Sequence, residues 1–119
     1  MAVLAEMKCT VCLAGDTPLD KFEITQYRDK VPDWEIVREN EIDRIKRDFK
    51  FKDFASALAF TQAVGDLAEE EGHHPIITLQ WGKVTVVWWT HEIRGLHPND
   101  FIMAARSDQA YKEGHFEAF

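Results

Sequence analysis

Two segments rich in β-branched and aromatic residues constrain the fold of this chain more than any other feature. Ile76–Trp81 and Val84–Thr90 have the composition of strands, and Gly82-Lys83 between them is short enough for a tight hairpin. Side chains alternate between the two faces of a strand. On the second strand one face carries Val84, Val86, Trp88 and Thr90, and the other carries Thr85, Val87, Trp89 and His91. We expect the first face to pack on helices, and the second to line a site or meet another subunit.

A second hairpin is predicted upstream. Trp34–Val37 is a short strand candidate and Asn40-Glu41 marks its turn. Between Ile45 and Phe51, apolar and charged residues alternate with the period of a half-buried strand, and Arg47 is the one exception on the apolar parity.

Three helices are predicted around the hairpins. Thr17 as a capping hydroxyl before Pro18 predicts a first helix that ends near Lys30. Asp53 can cap the strongest helix, for which Gly72 is the C-terminal glycine, so Glu69 lies in the last turn and His73 just beyond it. His97-Pro98 opens a final helix through about Lys112. The order α-β-β-α-β-β-α with short connections predicts a two-layer α+β domain with antiparallel strands.

Length and charge narrow the class of protein. The 119 residues suffice for one domain with one core, expected over 18–113, with a flexible arm at 1–17 and a tail at 114–119. The net charge of −7 repels phosphate backbones and disfavours nucleic-acid binding. The sequence has no apolar run of the roughly 20 residues that span a bilayer and no signal-peptide pattern at its start, so we expect a cytoplasmic protein.

Cys9 and Cys12 form a lone Cys-x-x-Cys in the arm. Neither the four ligands of a structural zinc site nor the strand and helix around a redox dithiol are predicted there. We interpret the pair as reduced thiols; half of a metal site completed by another subunit is the alternative.

The chemistry-bearing residues concentrate between Glu69 and Asp100. His73-His74-Pro75 follows the predicted helix, and His91 ends the second strand of the hairpin. Polar residues at a helix-to-strand junction would account for His73 and His74 equally well, whereas His91 at the end of an apolar strand would need partners for its ring nitrogens if it were buried. His97 and His115 are expected to have no chemical role.

Metal binding and nucleophilic catalysis are disfavoured. Adjacent His73 and His74 in an extended segment point to opposite sides, and their spacing matches no zinc motif. No serine or cysteine lies beside a base in a recognisable motif.

The string Glu69-x3-His73-His74-Pro75-x5-Trp81-x9-His91-x8-Asp100 resembles the signature of the pterin-4a-carbinolamine dehydratases, also described as dimerization cofactors of a homeodomain transcription factor. Pro32-Asp33-Trp34 and Ala57-Leu58-Ala59-Phe60 extend the resemblance upstream, so that it covers about residues 18 to 108. Trp81-Gly82-Lys83-Val84-Thr85-Val86 is similar to the bacterial members associated with phenylalanine hydroxylase.

This resemblance implies a fold and an activity. The family has a four-stranded antiparallel sheet with helices packed on one face, and its subunits form homodimers or homotetramers. The implied reaction is the dehydration of 4a-hydroxytetrahydrobiopterin to quinonoid dihydropterin, in recycling of the pterin cofactor of aromatic amino acid hydroxylation. It requires no metal or organic cofactor, and phenylalanine hydroxylase is a possible partner.

The resemblance also assigns roles. Acid and base roles fall to His73, His74 and His91, with His73 the first choice as proton donor to the leaving hydroxyl. Glu69 would orient or charge-stabilise His73 from the preceding helical turn, and Asp100 would support the site near His91. Substrate contacts are expected from Gly72, His73, His74, Thr90, His91, Glu92 and Asp100. Trp34 either packs by the pocket or is a core anchor.

Two other functions stay open at the level of sequence. A binding module that regulates phenylalanine hydroxylase or another protein could keep the same residues without catalysis. A role in molybdopterin-related metabolism would keep the pterin site and change the substrate.

Overall fold

The computed structural model describes residues 4–7, 9, 17–114 and 116. Its central element is a four-stranded antiparallel sheet. The elements run in the order α1 (Lys21–Arg28), β1 (Glu35–Glu39), β2 (Ile42–Lys50), α2 (Phe54–Glu71), β3 (Ile76–Gln80), β4 (Lys83–Trp88) and α3 (Pro98–Glu113). Short 3₁₀ turns lie at Leu4–Glu6 and His91–Ile93. The predicted α+β class and the order of elements are confirmed.

The strand order is β1-β2-β4-β3, so the two hairpins join through their second strands. The register sets Ile45 opposite Trp88 and Phe49 opposite Val84, and all of these side chains are fully buried. They lie on the face that the helices cover, where Phe49 contacts Phe60 of α2 with ring centroids 4.5 Å apart. Residues of the other parity, such as Asp48 and Thr85, form the uncovered face.

Helix α2 has the ends that the sequence predicts. The Asp53 carboxylate accepts a hydrogen bond from the Ser56 amide at 2.8 Å, and this bond lowers the pKa of Asp53. Gly72 ends the helix in the left-handed region at φ 62°, which glycine adopts without steric cost. The chain leaves the helix in a new direction at this point.

Helix α1 begins three residues later than predicted, at Lys21 instead of Pro18. Asp20 and Glu23 form a reciprocal capping box with bonds of 2.8 and 3.1 Å. The Leu19 amide donates instead to the Leu96 carbonyl at 2.9 Å, so the chain before Asp20 is held by a distant segment.

Two described residues of the segment 1–17, which was expected to be a flexible arm, contact the domain. Leu4 is buried, and the amide of Cys9 donates to Glu71 Oε1 at 2.7 Å. Burial raises the pKa of the Cys9 thiol to about 12, and nearby Glu71 adds to the shift, so this sulfur stays a thiol at neutral pH. Cys12 and His115, which the sequence analysis also interpreted, lie outside the described residues.

No helix within the described ranges has the length and hydropathy of a membrane span.

Candidate active site

His73 and Asp100 form the tightest polar contact of the candidate site. His73 follows Gly72 directly, and Asp100 lies in the first turn of α3. His73 Nε2 is 2.7 Å from Asp100 Oδ1, and the side chains are 12% and 0% exposed. A carboxylate at this distance selects the tautomer with a proton on Nε2, which leaves Nδ1 as the nitrogen that can exchange a proton.

The second oxygen of Asp100 is also fully engaged. Oδ2 accepts hydrogen bonds from Thr90 Oγ1 at 2.8 Å and from the His97 amide at 2.9 Å. His97 is the N-cap of α3, and its own Nδ1 accepts from the Asn99 amide at 3.0 Å, so its predicted place at a helix start is confirmed. The carboxylate therefore cannot rotate without losing several bonds, and its direction toward His73 is fixed.

Trp88 supports His73 from the sheet. The indole and imidazole rings stack with centroids 5.6 Å apart and an angle of 11° between their planes. Trp88 is fully buried at the end of β4. Because the carboxylate holds one edge of the imidazole and the indole covers one face, the ring of His73 has little freedom left.

Glu69 contacts His74 and not His73, so the predicted orienting role is wrong. His74 Nε2 lies 3.3 Å from Glu69 Oε1, and both side chains are largely exposed. The left-handed turn at Gly72 directs His73 inward, and the extended chain then points His74 the other way. Asp100, expected beside His91, is the partner that His73 has instead.

His91 lies on the 3₁₀ turn that follows β4, and its side chain is exposed. Its imidazole contacts the Trp89 indole with centroids 4.4 Å apart. Trp89 itself is only 7% exposed, and the Arg44 guanidinium lies over its ring. Trp89 therefore offers little open apolar surface, and the expectation that its face lines a site or meets another subunit stays a prediction.

The remaining residues that were predicted to contact substrate differ in their exposure. Gly72 and Glu92 are exposed at the helix end and on the 3₁₀ turn. Trp34 is fully buried, its ring meets Phe49, and its Nε1 donates to Asp108 at 2.8 Å, so it is the core anchor of the two roles considered.

A short path connects two of the histidines. Asp100 bonds both His73 and Thr90, and His91 follows Thr90 in the chain. The bridge between Thr90 and Gly95 closes the loop that carries His91. The His73 ring contacts Trp88 at the end of β4, and His91 lies on the turn that follows this strand. Among the described residues no group of three or more His, Cys, Asp or Glu side chains could hold a metal ion.

Sequence reasoning missed the side chains of Thr90 and Trp88 as parts of this network. A signal was present, since both have the inward parity of β4 directly before His91. This parity alone does not predict the contacts, because the position of Asp100 relative to β4 depends on the packing of α3.

Comparisons with known proteins identify the family of this chain. The family model described as pterin 4 alpha carbinolamine dehydratase matches residues 17–110. A Microcystis aeruginosa protein named "Putative pterin-4-alpha-carbinolamine dehydratase" is 50% identical over 113 residues, covering 95% of this chain and 97% of its own. A Chlorobium limicola protein of the same name is 53% identical over 107 residues, covering 90% and 95%.

A solved structure extends the similarity to three dimensions. The transcriptional coactivator/pterin dehydratase from Brucella melitensis aligns with a TM-score of 0.72 at 28% identity, covering 79% of this chain and 98% of its own. The family match spans most of the sequence and relatives of about half-identical sequence align over nearly all of it. The resemblance predicted from the motif is thereby confirmed, and the chain belongs to the pterin-4a-carbinolamine dehydratase family.

Proposed function

We propose that this protein dehydrates 4a-hydroxytetrahydrobiopterin to quinonoid dihydropterin and water by histidine acid/base catalysis. Family membership supports the dehydratase activity. The observation that carries the histidine mechanism is the buried, fully bonded Asp100 at 2.7 Å from the ring of His73.

The reaction needs two proton transfers and no redox step. The C4a–O bond breaks, and the departing hydroxyl takes a proton to leave as water. N5 loses its proton, and its electron pair forms the N5=C4a double bond. Imidazoles suit both transfers because their ordinary pKa lies near neutral pH.

His73 is the proposed proton donor to the leaving hydroxyl. Asp100 holds Nε2, so the proton would move at Nδ1. A fixed carboxylate next to an imidazole orients the ring and stabilises its cationic form. Asp100 is thus a positioning residue that acts through His73.

His91 is the proposed partner at N5, and His74 the second group at the rim. Their exposed rings could reach a bound pterin, whose amide and amino edge would meet backbone groups of Gly72–His74 and Thr90–Glu92. Glu69, beside His74 at 3.3 Å, would orient that ring instead of His73.

The test is dehydration of enzymatically generated carbinolamine, followed by stopped-flow absorbance. His73→Ala and His91→Ala should each lower kcat by about 10²- to 10⁴-fold, the usual contribution of a positioned acid or base. His97→Asn, which retains a capping side chain for α3, should keep near-normal activity. Full activity in both alanine variants would refute the histidine mechanism.

The proposed setting is cytoplasmic recycling of the cofactor for phenylalanine hydroxylase, by a homodimer or homotetramer. Strands β1 and β3 are the edges of the sheet, and unpaired edges can pair with another copy. Light scattering should then give a mass well above 13.8 kDa at micromolar concentration.

The alternative is a regulatory binding protein. Its support is the pair of sheet edges and the similarity to a protein described as a transcriptional coactivator/pterin dehydratase. Pulldown of phenylalanine hydroxylase without pterin, together with absent dehydratase activity, would favour it. A pterin of molybdopterin metabolism as substrate would be identified by comparing turnover of the two pterin classes.

A further inference from the structure

Arg44 is a buried cation that has no carboxylate partner among the described residues. It lies on β2 opposite Val37 and is 6% exposed. One guanidinium nitrogen donates to the Glu39 carbonyl at 3.3 Å, while the buried Nε has no hydrogen-bond partner in the part of the chain that the structure describes. None of the ion pairs among the described residues includes Arg44. Burying a charge in this way is unfavourable unless another interaction compensates.

The compensating interaction is with Trp89. The Arg44 guanidinium carbon lies 4.0 Å from the centroid of the indole, within the range of a cation–π contact. The same indole contacts the His91 imidazole at 4.4 Å, with 33° between the ring planes. Arg44, Trp89 and His91 therefore form a contiguous series of planar groups, which we call the Arg44 stack.

The stack reaches a histidine that has little other support. His73 is held by a carboxylate, but no hydrogen bond to the His91 ring is found among the described residues. His91 also lies on a 3₁₀ turn of three residues, where its side chain is exposed. An exposed side chain on a short turn samples several rotamers unless a neighbour restrains it. The indole of Trp89 is the neighbour in contact.

We infer that Arg44 is a positioning residue for His91, acting through Trp89. The cation fixes the plane of the indole, and the indole fixes the imidazole that exchanges a proton with the pterin. Arg44 is thus the counterpart, for His91, of Asp100 for His73. This inference rests on the proposed function, because it takes His91 as the group at N5.

A first experiment measures the stack without using activity. Ring currents of an indole displace the proton resonances of a neighbouring imidazole, so His91 should show displaced ring resonances in NMR spectra of the whole protein. In Arg44→Met, which keeps an unbranched stem without the charge, these resonances should move toward values of an unrestrained histidine. Arg44→Lys keeps the cation but not its planar geometry and should give an intermediate shift.

Arg38→Met is the matched control. Arg38 lies on the neighbouring strand β1, with its side chain 63% exposed and paired with Asp43 at 3.0 Å. Removing this cation changes the net charge equally and touches no ring of the stack. The His91 resonances should stay in place. Unchanged His91 resonances in folded Arg44→Met would overturn the inference, and Arg44→Lys supplies the same comparison if the methionine variant does not fold.

A second experiment connects the stack to catalysis. Arg44→Met should lower kcat by about 3- to 10-fold with KM changed less than about twofold, which is the size of effect a cation–π contact can have. In a His91→Ala background the same substitution should have no further effect on kcat. An equal loss in that background would show that Arg44 acts elsewhere.

The experiments distinguish the proposed role of His91 from the proposed role of Arg44. If His91→Ala alone kept full activity, the proposed role of His91 would be wrong even though the resonances moved. If His91→Ala abolished activity while Arg44→Met left both the resonances and kcat unchanged, the catalytic role would stand and the positioning role would be wrong.

Discussion

At the scale of single residues, the neighbours His73 and His74 have different environments because an extended chain alternates its side chains. The first is 12% exposed against Asp100 and Trp88, and the second is 59% exposed beside Glu69. A buried ring with a fixed carboxylate is suited to a directed proton transfer. An exposed ring with an exposed partner is suited to a contact that forms with substrate.

Thr90 should matter to stability through its hydroxyl. Thr90→Val keeps the shape of the side chain and removes the 2.8 Å bond to Asp100, which leaves a buried carboxylate oxygen with one donor fewer. We expect the free energy of unfolding in urea to fall by about 1–3 kcal/mol. Since Asp100 orients His73, kcat should fall as well. Thr78→Val on the exposed face of β3 is the control, and an equal loss of stability there would contradict the argument.

The spacing of residues in the chain predicted that histidines and carboxylates would lie together, but it assigned the wrong carboxylate to His73. Glu69 was placed beside His73 because one helical turn separates them. The prediction failed because the left-handed residue Gly72 turns the chain between them, and Asp100 approaches from 27 positions away. Contacts of that range depend on how α3 packs, which local periodicity does not contain.

At the scale of elements, the ends of the helices are where chemistry and conformation meet. Helix α2 ends at Gly72, and the next residue is the proposed acid. Helix α3 begins at the cap His97, and its third residue is the carboxylate that binds His73. The site is therefore built from a helix C-terminus and a helix N-terminus that pack against the end of β4.

Two glycines of α2 give a matched pair of substitutions. A Cβ at Gly72 would meet no atom within 4 Å, but its φ of 62° is unfavourable for alanine. Gly72→Ala should therefore lower the free energy of unfolding by about 1–2 kcal/mol. Gly65→Ala, also without a contact within 4 Å, lies within α2 and should raise it by about 0.5–1 kcal/mol.

Thermal or urea unfolding of both variants measures the difference directly. Destabilisation by both substitutions to the same extent would mean that crowding, and not backbone conformation, decides the outcome. A loss of kcat confined to Gly72→Ala would add that the direction of the chain at this residue positions His73.

Element boundaries were predicted where a local cap is unambiguous and missed where a distant segment competes. Asp53 and Gly72 end α2 as expected. At α1 the predicted start failed, because Gly95 approaches Pro18 so closely that an added Cβ would lie 2.8 Å from its side chain. That packing, together with the bond from Leu19 to Leu96, holds the segment outside the helix.

At the scale of the whole molecule, hydrophobic periodicity and turn residues were enough for the α+β class and the order of elements. They did not predict the partners of the polar residues inside the core. Arg47 was an unexplained exception on the apolar parity of β2, and the structure pairs it with Asp108 of α3 at 2.6 Å. The guanidinium also lies 4.3 Å from the Phe49 ring centroid, so its stem belongs to the core.

Asp108 links the sheet and the helical layer, and it should make stability depend on pH. Burial raises the pKa of this carboxyl above its ordinary 3.8, although hydrogen bonds from Trp34 and Arg47 act in the opposite direction. The folded state then keeps the proton to a higher pH than the unfolded state. Stability from this group is complete below the ordinary value and is lost as pH rises through the raised one.

Asp108→Asn removes this titration and keeps the size of the side chain, so it isolates the effect. We expect the free energy of unfolding of the wild type, relative to the variant, to decrease as pH rises from about 4 toward neutrality. Urea unfolding of both proteins at a series of pH values measures the difference. If the wild type gained relative to the variant over this window, the ion pair with Arg47 would outweigh burial. The sign of that slope therefore decides whether Asp108 stabilises the join between sheet and helices by its charge, or is retained there despite it.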